Sequence, residues 1–394
     1  MTLIGQDVTV VGAGVAGLAV ACALALRGAA VTVLEQADAI REVGAGLQIS
    51  PNGAAVLRAL GLQQALDATS MRGQAVALID GPSGDGVARL DLALLRPGQG
   101  YHFLHRADLI RLLLQAATDA GVTLRLLSRI DAVDLTGKRP AVLLDSGDRL
   151  ETPLLIGADG LHSRLRSALN GPERPFFTGQ VAWRAVIPAE PGAPSIVEVH
   201  MGPGRHLVSY PLRGGTLRNI VAVEERAKWA EESWTLRDDP MDLRLAFEGF
   251  SPRVRGWLAQ VEDPWLWGLF RHPVAETWVR PIGQGGMAIL GDAAHPTLPF
   301  LAQGASMGLE DAWVLADALA SHDTVPAALA AFQAARKPRT TRIVAAANSN
   351  ARAYHLSGLA RLVGHTGLRL LGRVSPGTML SRYDWLYGHN VTAG

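Results

Sequence analysis

Three glycines near the start of the chain have a spacing that suits phosphate binding. Residues 12 to 17 are Gly-Ala-Gly-Val-Ala-Gly; they follow the β-branched run "DVTVV" and open an Ala/Leu-rich segment. In a strand–turn–helix unit, Gly12 permits the tight turn, Gly14 lets the backbone approach a diphosphate, and Gly17 lets the helix pack against the strand. Glu35 ends the next predicted strand, where a carboxylate accepts hydrogen bonds from ribose hydroxyls. We predict a dinucleotide-binding fold, and the motif alone does not separate FAD from NAD.

The stretch "RHLVSYPLRGG", residues 205 to 215, places two polar ring side chains on a predicted strand. Alternate residues of a strand share a face, so His206, Val208 and Tyr210 are expected to point the same way. A neutral imidazole, with an ordinary pKa of about 6.5, takes up a proton near neutral pH. Two interpretations stay open from these residues: a half-buried sheet with two aromatic side chains, or a pair of side chains that faces a substrate.

Two carboxylates follow predicted strands later in the chain. Asp159 lies in "LLIGADGLHSRLR", residues 154 to 166, where a strand ends at Gly157 and a short helix follows. An Asp-Gly pair is also common in simple turns. Asp292 lies in "GDAAHPTLPFLAQGASMGLEDA", residues 291 to 312, at the end of a strand and a dozen residues before a helix start. A simple cap or turn residue is the alternative interpretation of Asp292.

The elements that must position these residues follow the order of a divided α/β fold. A strand, a helix that ends at Gly28 and a second strand predict a parallel βαβ unit. Residues 181 to 225 are β runs joined by Pro/Gly turns, which predict an antiparallel meander. Ala-rich helices are expected at about 304–321 and 325–350. We therefore expect a nucleotide-binding domain interrupted by a β-rich substrate domain.

Composition and charge exclude several functional classes. The chain has 394 residues, 48% hydrophobic and 19% charged, which allows a sizeable core in two or three domains or in one large composite domain. With 37 basic and 36 acidic residues it has no basic excess for a nucleic acid backbone. Cys22 is the single cysteine and no Cys/His cluster has zinc-site spacing, so no metal is expected. The longest apolar run near the start is broken by Arg27 and Gly28, and we expect no transmembrane segment and a cytoplasmic location.

Together the three motifs resemble those of the class A flavoprotein aromatic hydroxylases, which have the para-hydroxybenzoate hydroxylase fold of the glutathione-reductase-like flavoproteins. The pattern is GxGxxG near the start, Gly-Ala-Asp-Gly near residue 160, and Gly-Asp-Ala-Ala-His-Pro with Gln-Gly and Glu-Asp-Ala near residue 300. All three segments are present in order, so the resemblance covers essentially the whole chain. One departure is Ala302-Gln303-Gly304, where many members have Gly-Gln-Gly; we interpret it as subfamily variation.

The resemblance implies an α/β fold with a Rossmann-like FAD-binding domain, and NADH or NADPH as a co-substrate that visits a surface groove. It implies that Asp292 accepts a hydrogen bond from the flavin ribityl chain. The helix that begins near Gly304 would present its N–H groups to the pyrimidine edge of the isoalloxazine, which is anionic in reduced flavin. The candidate cofactor-binding residues are Gly12, Gly14, Val15, Ala16, Gly17, Glu35, Gln36, Gln48, Arg106, Ile130, Asp159, Asp292, Pro299, Gly304 and Ala305.

The segment around His206 resembles the branch that hydroxylates 3-hydroxybenzoate, salicylate and 6-hydroxynicotinate, where a His-x-x-x-Tyr pair before Pro-Leu-Arg-Gly-Gly lies in the substrate pocket. This implies a monooxygenase that uses NAD(P)H and O2 to hydroxylate a small aromatic or heteroaromatic acid through a flavin hydroperoxide. His206 would take the proton of a phenol, because a phenolate attacks this electrophile better. The candidate catalytic residues are His206, Tyr210 and Gln303, and Arg184 and Arg271 are candidate carboxylate anchors.

Two other hypotheses stay open: a flavin oxidase or reductase of the same fold that inserts no oxygen, and a non-catalytic flavin-binding module. The resemblance also implies a homodimer. We place the FAD-binding domain at residues 1–75, 100–180 and 281–345, the substrate domain at 76–99 and 181–280, and a C-terminal helical segment at 346–394.

Overall fold

The computed structural model describes residues 3–40, 45–95, 97–98, 100–226 and 236–393, and its strands form two large and two small sheets. In these ranges the strands are β1 (Asp7–Val11), β2 (Ala30–Leu34), β3 (Gly46–Ile49), β4 (Met71–Arg72), β5 (Ala75–Asp80), β6 (Gly86–Asp91), β7 (His102–His105), β8 (Thr123–Arg125), β9 (Ile130–Asp134), β10 (Ala141–Leu144), β11 (Arg149–Glu151), β12 (Leu154–Gly157), β13 (Phe176–Pro188), β14 (Ile196–Gly202), β15 (Arg205–Leu212), β16 (Leu217–Glu225), β17 (Trp265–Arg271), β18 (Val279–Ile282) and β19 (Gly285–Ile289).

The helices cover the faces of these sheets and fill the last quarter of the chain. They are α1 (Val15–Ala25), α2 (Pro51–Ala59), α3 (Gln63–Thr69), α4 (Leu92–Leu95), α5 (Arg106–Asp119), α6 (Arg164–Asn170), α7 (Pro240–Ala246), α8 (Pro252–Leu258), α9 (Gly304–Ser321), α10 (Val325–Tyr354), α11 (Gly358–Val374), α12 (Pro376–Ser381) and α13 (Asp384–Tyr387). Among the described helices, none combines the length and the apolar character that crossing a membrane requires.

The first large sheet has six strands in the order β18-β19-β12-β1-β2-β8. β1 pairs in parallel with β2 and with β12, and β12 pairs in parallel with β19, so the predicted parallel βαβ unit is confirmed. α1 joins β1 to β2 and is buried along almost all of its length, Cys22 included. A helix that is apolar on every side has no solvent face, which explains why its sequence shows no amphipathic pattern.

The second large sheet has seven strands in the order β17-β13-β16-β15-β14-β5-β6. The predicted antiparallel meander is confirmed for β14, β15 and β16. It is wrong for β13, which pairs with β16 and β17 instead of β14. The reason is that the other edge of β14 is occupied by β5, in parallel, from Ile196 to Met201.

The two faces of the seven-stranded sheet pack against different parts of the molecule. One face carries Trp183 and Leu207 and packs against α7 and α8 through Phe247 and Trp257. The opposite face carries Val208 and Tyr210, whose cluster includes Leu368 of α11 and Tyr387 of α13. The alternation along β15 therefore decides which side chains reach the space between the two large sheets.

The predicted helices at about 304–321 and 325–350 are confirmed as α9 and α10. α10 runs without a break through residue 345, so the predicted boundary between the FAD-binding domain and the C-terminal segment falls inside a helix. A continuous helix moves as one unit, and we propose placing that boundary after Tyr354 instead. The rest of the domain division stays a prediction.

Candidate active site

Two cavities meet at the carboxyl edge of the six-stranded sheet, where Gly14, Ala158 and Gly160 line both of them. The first, about 920 Å³, lies between this edge and the inner face of the seven-stranded sheet. The second, about 740 Å³, lies beside the ends of β1, β2 and β12. Parallel α/β sheets bind ligands outside the carboxyl ends of their strands, and an elongated site there suits a dinucleotide.

The structure distributes the predicted site residues between these cavities. Those along the first cavity are Gly14, Val15, Ala16, Gln48, Arg106, His206, Tyr210, Asp292, Pro299, Gln303, Gly304 and Ala305. Those along the second are Gly12, Gly14, Glu35, Gln36, Ile130 and Asp159. Gly17 lines neither cavity; it lies behind the turn and packs the helix against it, and its assignment to the cofactor-binding motif stays a prediction.

The glycine turn gives each glycine a separate physical role. Gly12 has φ +99°, and a Cβ added to it would lie 2.4 Å from the carbonyl oxygen of Ala158. A Cβ on Gly17 would lie 1.9 Å from the carbonyl oxygen of Gly12. Gly14, by contrast, has open space around its Cβ position and precedes α1 without a side-chain cap. The helix start is therefore exposed at the junction of the cavities, as a bound diphosphate requires.

The Glu35 carboxylate supports the same turn from the next strand. Its Oε2 accepts a hydrogen bond from the backbone N–H of Ala13 at 2.8 Å, and its Oε1 accepts one from that of Ala37 at 2.9 Å. Glu35 also lines the second cavity with Gln36 and Ile130. The carboxylate thus fixes the glycine turn and faces the place where a ribose belongs.

Asp159 caps the start of α6 from the turn after β12. It accepts hydrogen bonds from Ser163 Oγ at 2.5 Å and from the backbone N–H of Arg164 at 2.8 Å. Burial raises the pKa of Asp159, and these hydrogen bonds oppose that rise. The turn interpretation accounts for these contacts, while the position of Asp159 on the second cavity keeps it beside the proposed cofactor.

Asp292 and the start of α9 form one wall of the first cavity. Asp292 is exposed, and within the described ranges its carboxylate has no hydrogen-bond or ion-pair partner. α9 begins at Gly304 without a side-chain cap, so in the part of the chain that the structure describes the N–H groups of its first turn have no side-chain acceptor. The carboxylate of Asp292 is complementary to the hydroxyl groups of a hydroxylated chain. The uncapped start of α9 is complementary to an electron-rich ring edge.

Ala302, the departure from the usual Gly-Gln-Gly segment, adopts the left-handed conformation with φ 51° and ψ 39°. This conformation is unfavourable by about 1–2 kcal/mol for a residue with a Cβ. Glycine would remove that strain, but its greater conformational entropy in the unfolded chain would offset part of the gain in stability. We expect Ala302→Gly to raise the free energy of unfolding by about 0.5–1 kcal/mol. Ala320→Gly, at an exposed position of α9, should lower it by about the same amount, as measured by chemical denaturation.

The substrate-facing strand is β15. His206, Val208 and Tyr210 all line the first cavity, while Leu207 lies in the core on the opposite face, so the predicted shared face is confirmed. Burial raises the pKa of the Tyr210 hydroxyl, and Arg184 opposes that rise. Tyr210 therefore remains a protonated hydrogen-bond donor at neutral pH, with the ring of Phe103 at 5.4 Å between centroids.

His206 is fully buried and lies against a second histidine. Its Nδ1 is 2.6 Å from Nε2 of His355, which follows α10, and its ring also contacts Phe300 and Tyr354. Burial, with a smaller contribution from His355, holds the pKa of His206 well below its usual value. The imidazole is therefore neutral at neutral pH. Nothing in the sequence signals His355, since it lies 149 residues away, outside every recognised motif.

Gln303 lines the first cavity, but its amide group is held by the protein. Its Nε2 donates to Ser50 Oγ at 3.0 Å, and its Oε1 accepts from Asn52 Nδ2 at 3.2 Å. We therefore propose that Gln303 positions the start of α9 and does not act on the substrate directly. Of the two candidate anchors, Arg184 lines the first cavity, whereas Arg271 is an exposed residue at the end of β17 and lines neither cavity.

Glu310 and Asp311 belong to a buried ion cluster behind the start of α9. Arg336 contacts Glu310 at 2.6 Å and Asp311 at 2.7 Å, and Arg339 contacts Glu310 at 2.7 Å. Burial opposes ionisation of Asp311, but His295 and Arg336 outweigh it and hold the pKa of Asp311 far below its usual value. Both carboxylates are therefore charged, and the cluster ties α9 to α10.

Removal of the Arg336 side chain is expected to destabilise the fold strongly. Arg336→Met leaves Glu310 and Asp311 charged, buried and short of a partner, and breaking such a pair costs about 3–5 kcal/mol. The matched control is Lys337→Met in the same helix, whose exposed pair with Glu276 is worth less than about 1 kcal/mol. Urea denaturation of both variants measures the difference; equal losses would contradict the importance of the buried cluster.

The comparisons with known proteins agree with this geometry. The model of a family described as an FAD binding domain matches residues 6–347. The chain is 34% identical to the 3-amino-4-hydroxybenzoate 2-monooxygenase PtmB3 of Streptomyces platensis, covering 97% of this chain and 95% of that one. It is 33% identical to a 3-hydroxybenzoate 6-hydroxylase of Klebsiella oxytoca, covering 96% of each. The structure of Klebsiella pneumoniae HpxO complexed with FAD and uric acid superposes with a TM-score of 0.84 at 25% identity, over 96% of this chain and 97% of that one.

The residues of the two cavities fit FAD. The open backbone at Gly14 suits the diphosphate, and the Glu35 carboxylate suits the ribose. Asp292, which has no partner among the described residues, suits the ribityl chain, and the uncapped start of α9 suits the flavin ring. An FAD held at these positions would run from the second cavity into the first, where it would meet the face that carries His206 and Tyr210. The chain therefore belongs to the FAD-binding-domain family and is an NAD(P)H- and FAD-dependent aromatic-ring monooxygenase.

Proposed function

We propose that this monooxygenase hydroxylates a phenolic aromatic acid that binds between the flavin and strand β15, with His206 as the base. One observation carries the proposal: a neutral, buried histidine shares a face with a protonated tyrosine in the cavity that continues into the FAD site. The relatives named above act on 3-amino-4-hydroxybenzoate and 3-hydroxybenzoate, which are both phenolic acids.

The roles of the side chains follow from their protonation. Reduced FAD, when bound, would activate O2 for the transfer of one oxygen atom to the ring. His206 accepts the phenol proton, which raises the electron density of the ring that is to be hydroxylated. The hydroxyl group of Tyr210 donates a hydrogen bond that orients the substrate. Arg184 lines the same cavity, and we propose that its guanidinium group binds the substrate carboxylate.

One wall of the cavity is apolar and keeps water away from the reacting ring. It is formed by side chains of β5, β6 and β14, among them Leu78, Leu90, Val199 and Met201. These strands lie beyond β15, away from β16, so the apolar wall extends past the His206–Tyr210 face. We infer that phenolic acids with an apolar substituent fit this cavity as well as hydroxybenzoates do.

The low pKa of His206 predicts a decrease in stability on the acidic side of neutrality. The unfolded chain binds a proton at this histidine below its ordinary pKa of about 6.5, and the folded chain does not. The contribution of His206 to the free energy of unfolding is therefore complete above pH 6.5 and is lost as pH falls toward the folded pKa, by about 1.4 kcal/mol per pH unit. Denaturation midpoints measured at pH 8, 7, 6 and 5.5 should fall less steeply for His206→Asn than for the parent protein. Parallel curves for the two proteins would contradict a lowered pKa of His206.

The other partners of the reaction are proposals that rest on the family. We propose that O2 is the source of the inserted oxygen, that NADH or NADPH delivers electrons at a surface groove, and that the protein works in the cytoplasm as a homodimer. The second GxGxxG motif that a resident NAD would use is absent from the sequence.

The test is a screen of aromatic acids of increasing size for stimulation of NADH and NADPH oxidation by the FAD-loaded protein, followed by product analysis under ¹⁸O2. We expect stimulation by phenolic acids and one labelled atom in the product. Turnover without label in the product would instead show an oxidase or reductase. Oxidation of NADH and NADPH that no aromatic acid stimulates would contradict the proposed function.

A further inference from the structure

A chain of three hydrogen-bonding side chains leads from the first cavity to the protein surface. His206 Nδ1 lies 2.6 Å from His355 Nε2, and His355 Nδ1 lies 2.7 Å from Glu225 Oε1. Both histidines are buried, whereas the Glu225 side chain, at the end of β16, is 53% exposed. The chain thus connects the proposed base to solvent through groups that can each accept and release a proton.

The ionised carboxylate at the outer end fixes the tautomers of both rings. A carboxylate only accepts hydrogen bonds, so His355 must carry its proton on Nδ1, and its Nε2 then has a free lone pair. That lone pair accepts the Nδ1 proton of His206, which leaves Nε2 of His206 as the bare nitrogen. Burial lowers the pKa of both histidines, which keeps each of them neutral with a single ring proton.

We propose that Glu225 and His355 are positioning residues, which fix the tautomer in which His206 acts as the base. The same two residues then carry the phenol proton to solvent. The inference rests on the proposed role of His206. As Nε2 of His206 takes the phenol proton, its Nδ1 proton moves to Nε2 of His355, and the Nδ1 proton of His355 moves to Glu225. Glu225 releases this proton to water. One proton enters and one leaves. When the phenolate of the product regains its proton, the same transfers run inward from water and restore both tautomers.

The surroundings of His355 favour this direction. Arg205 lies near enough to lower the pKa of His355, so a positive charge does not remain on it. The amide nitrogen of Gln180 approaches Nδ1 of His355 at 3.5 Å and competes weakly with Glu225. In the absence of Glu225, the Gln180 amide is the group left to donate to Nδ1. Both histidines would then change from the tautomer protonated on Nδ1 to the one protonated on Nε2. His206 would present an N–H group to the cavity.

The first experiment reads the tautomers and needs no turnover. Histidine-selective ¹⁵N NMR of the FAD-loaded protein should show His206 and His355 protonated on Nδ1. In Glu225→Leu, both are expected to carry the proton on Nε2, while Glu225→Asp retains the parent pattern. The matched control is Glu224→Leu, which removes the neighbouring carboxylate of the same strand, and it should leave both tautomers unchanged. A parent protein with His206 protonated on Nε2, or an unaltered pattern in Glu225→Leu, overturns the proposal.

The second experiment measures ring hydroxylation, with 3-hydroxybenzoate and 3-amino-4-hydroxybenzoate as probes and FAD content determined in parallel. Glu225→Leu and His355→Phe should lower the rate by about 10- to 100-fold at unchanged FAD content, less than loss of the base itself. Glu225→Asp should restore most of the rate. Parent rates in Glu225→Leu overturn the relay while leaving His206 as the base. A parent rate in His206→Asn removes the proposed base, whatever the tautomers are.

Discussion

Replacement of His206 with asparagine is expected to lower the rate of ring hydroxylation by about 100- to 10,000-fold, the usual contribution of a general base. Asparagine preserves much of the ring's volume but cannot accept the phenol proton. FAD binding should persist, because the glycine turn, Glu35 and Asp292 belong to other elements. Substrate-dependent NAD(P)H oxidation, product yield and the flavin spectrum together separate loss of the base from loss of the cofactor.

His200→Asn is the matched control for this substitution. His200 is also a buried histidine of the seven-stranded sheet, but it contacts Glu198 and Trp257 and lines neither cavity. We expect a lower stability and a nearly unchanged hydroxylation rate per bound flavin. If His206→Asn and His200→Asn lowered this rate equally, the effect would be general and His206 would have no special role.

The second large effect is expected at Gly14. Gly14→Val should leave the fold intact, since Gly14 has φ −77° and ψ −174°, an ordinary extended conformation, and no atom lies within 4 Å of its Cβ position. The new side chain instead enters the junction of the two cavities, where the diphosphate approaches the backbone. We expect FAD affinity to fall by at least about 100-fold, which corresponds to about 3 kcal/mol.

The contrast with Gly12→Val makes this prediction specific. At Gly12 a Cβ meets the Ala158 carbonyl and the φ angle is positive, so that substitution should lower the stability of the fold itself. Circular dichroism with denaturation measures the fold, and quenching of flavin fluorescence measures binding. A Gly14→Val protein that is purified yellow with parent affinity would show that the diphosphate does not pass this residue.

The parts of the site that could be predicted from sequence depend on local geometry. A turn that needs a positive φ, a helix start that must stay open and a helix that must approach a strand each select glycine at fixed spacing. The shared face of His206 and Tyr210 follows in the same way from the two-residue period of a strand. In both cases the constraint acts within six residues, so a single sequence contains it.

The parts that were missed depend on contacts between distant segments. The Gln303 amide is held by Ser50 and Asn52, more than 250 residues earlier, and no local pattern records that contact. The burial of Glu310 and Asp311 depends on an arginine that a later helix supplies, and no local pattern signals it. The pairing of β13 with β16 likewise depends on which strand occupies the other edge of β14, and that strand, β5, comes from a distant part of the chain.

The order of the six-stranded sheet has a consequence for how the enzyme matures. β12 lies between β1 and β19, so neighbours in the sheet come from residues near 10, 155 and 287. Such distant pairings make folding slow and leave strand edges bare during synthesis. Asp292 and α9 are synthesised only after about three quarters of the chain has been made. A nascent chain therefore lacks part of the FAD site until late in synthesis. Flavin supply should therefore govern the yield of active protein at the end of biosynthesis, through stabilisation of the newly completed fold by its ligand.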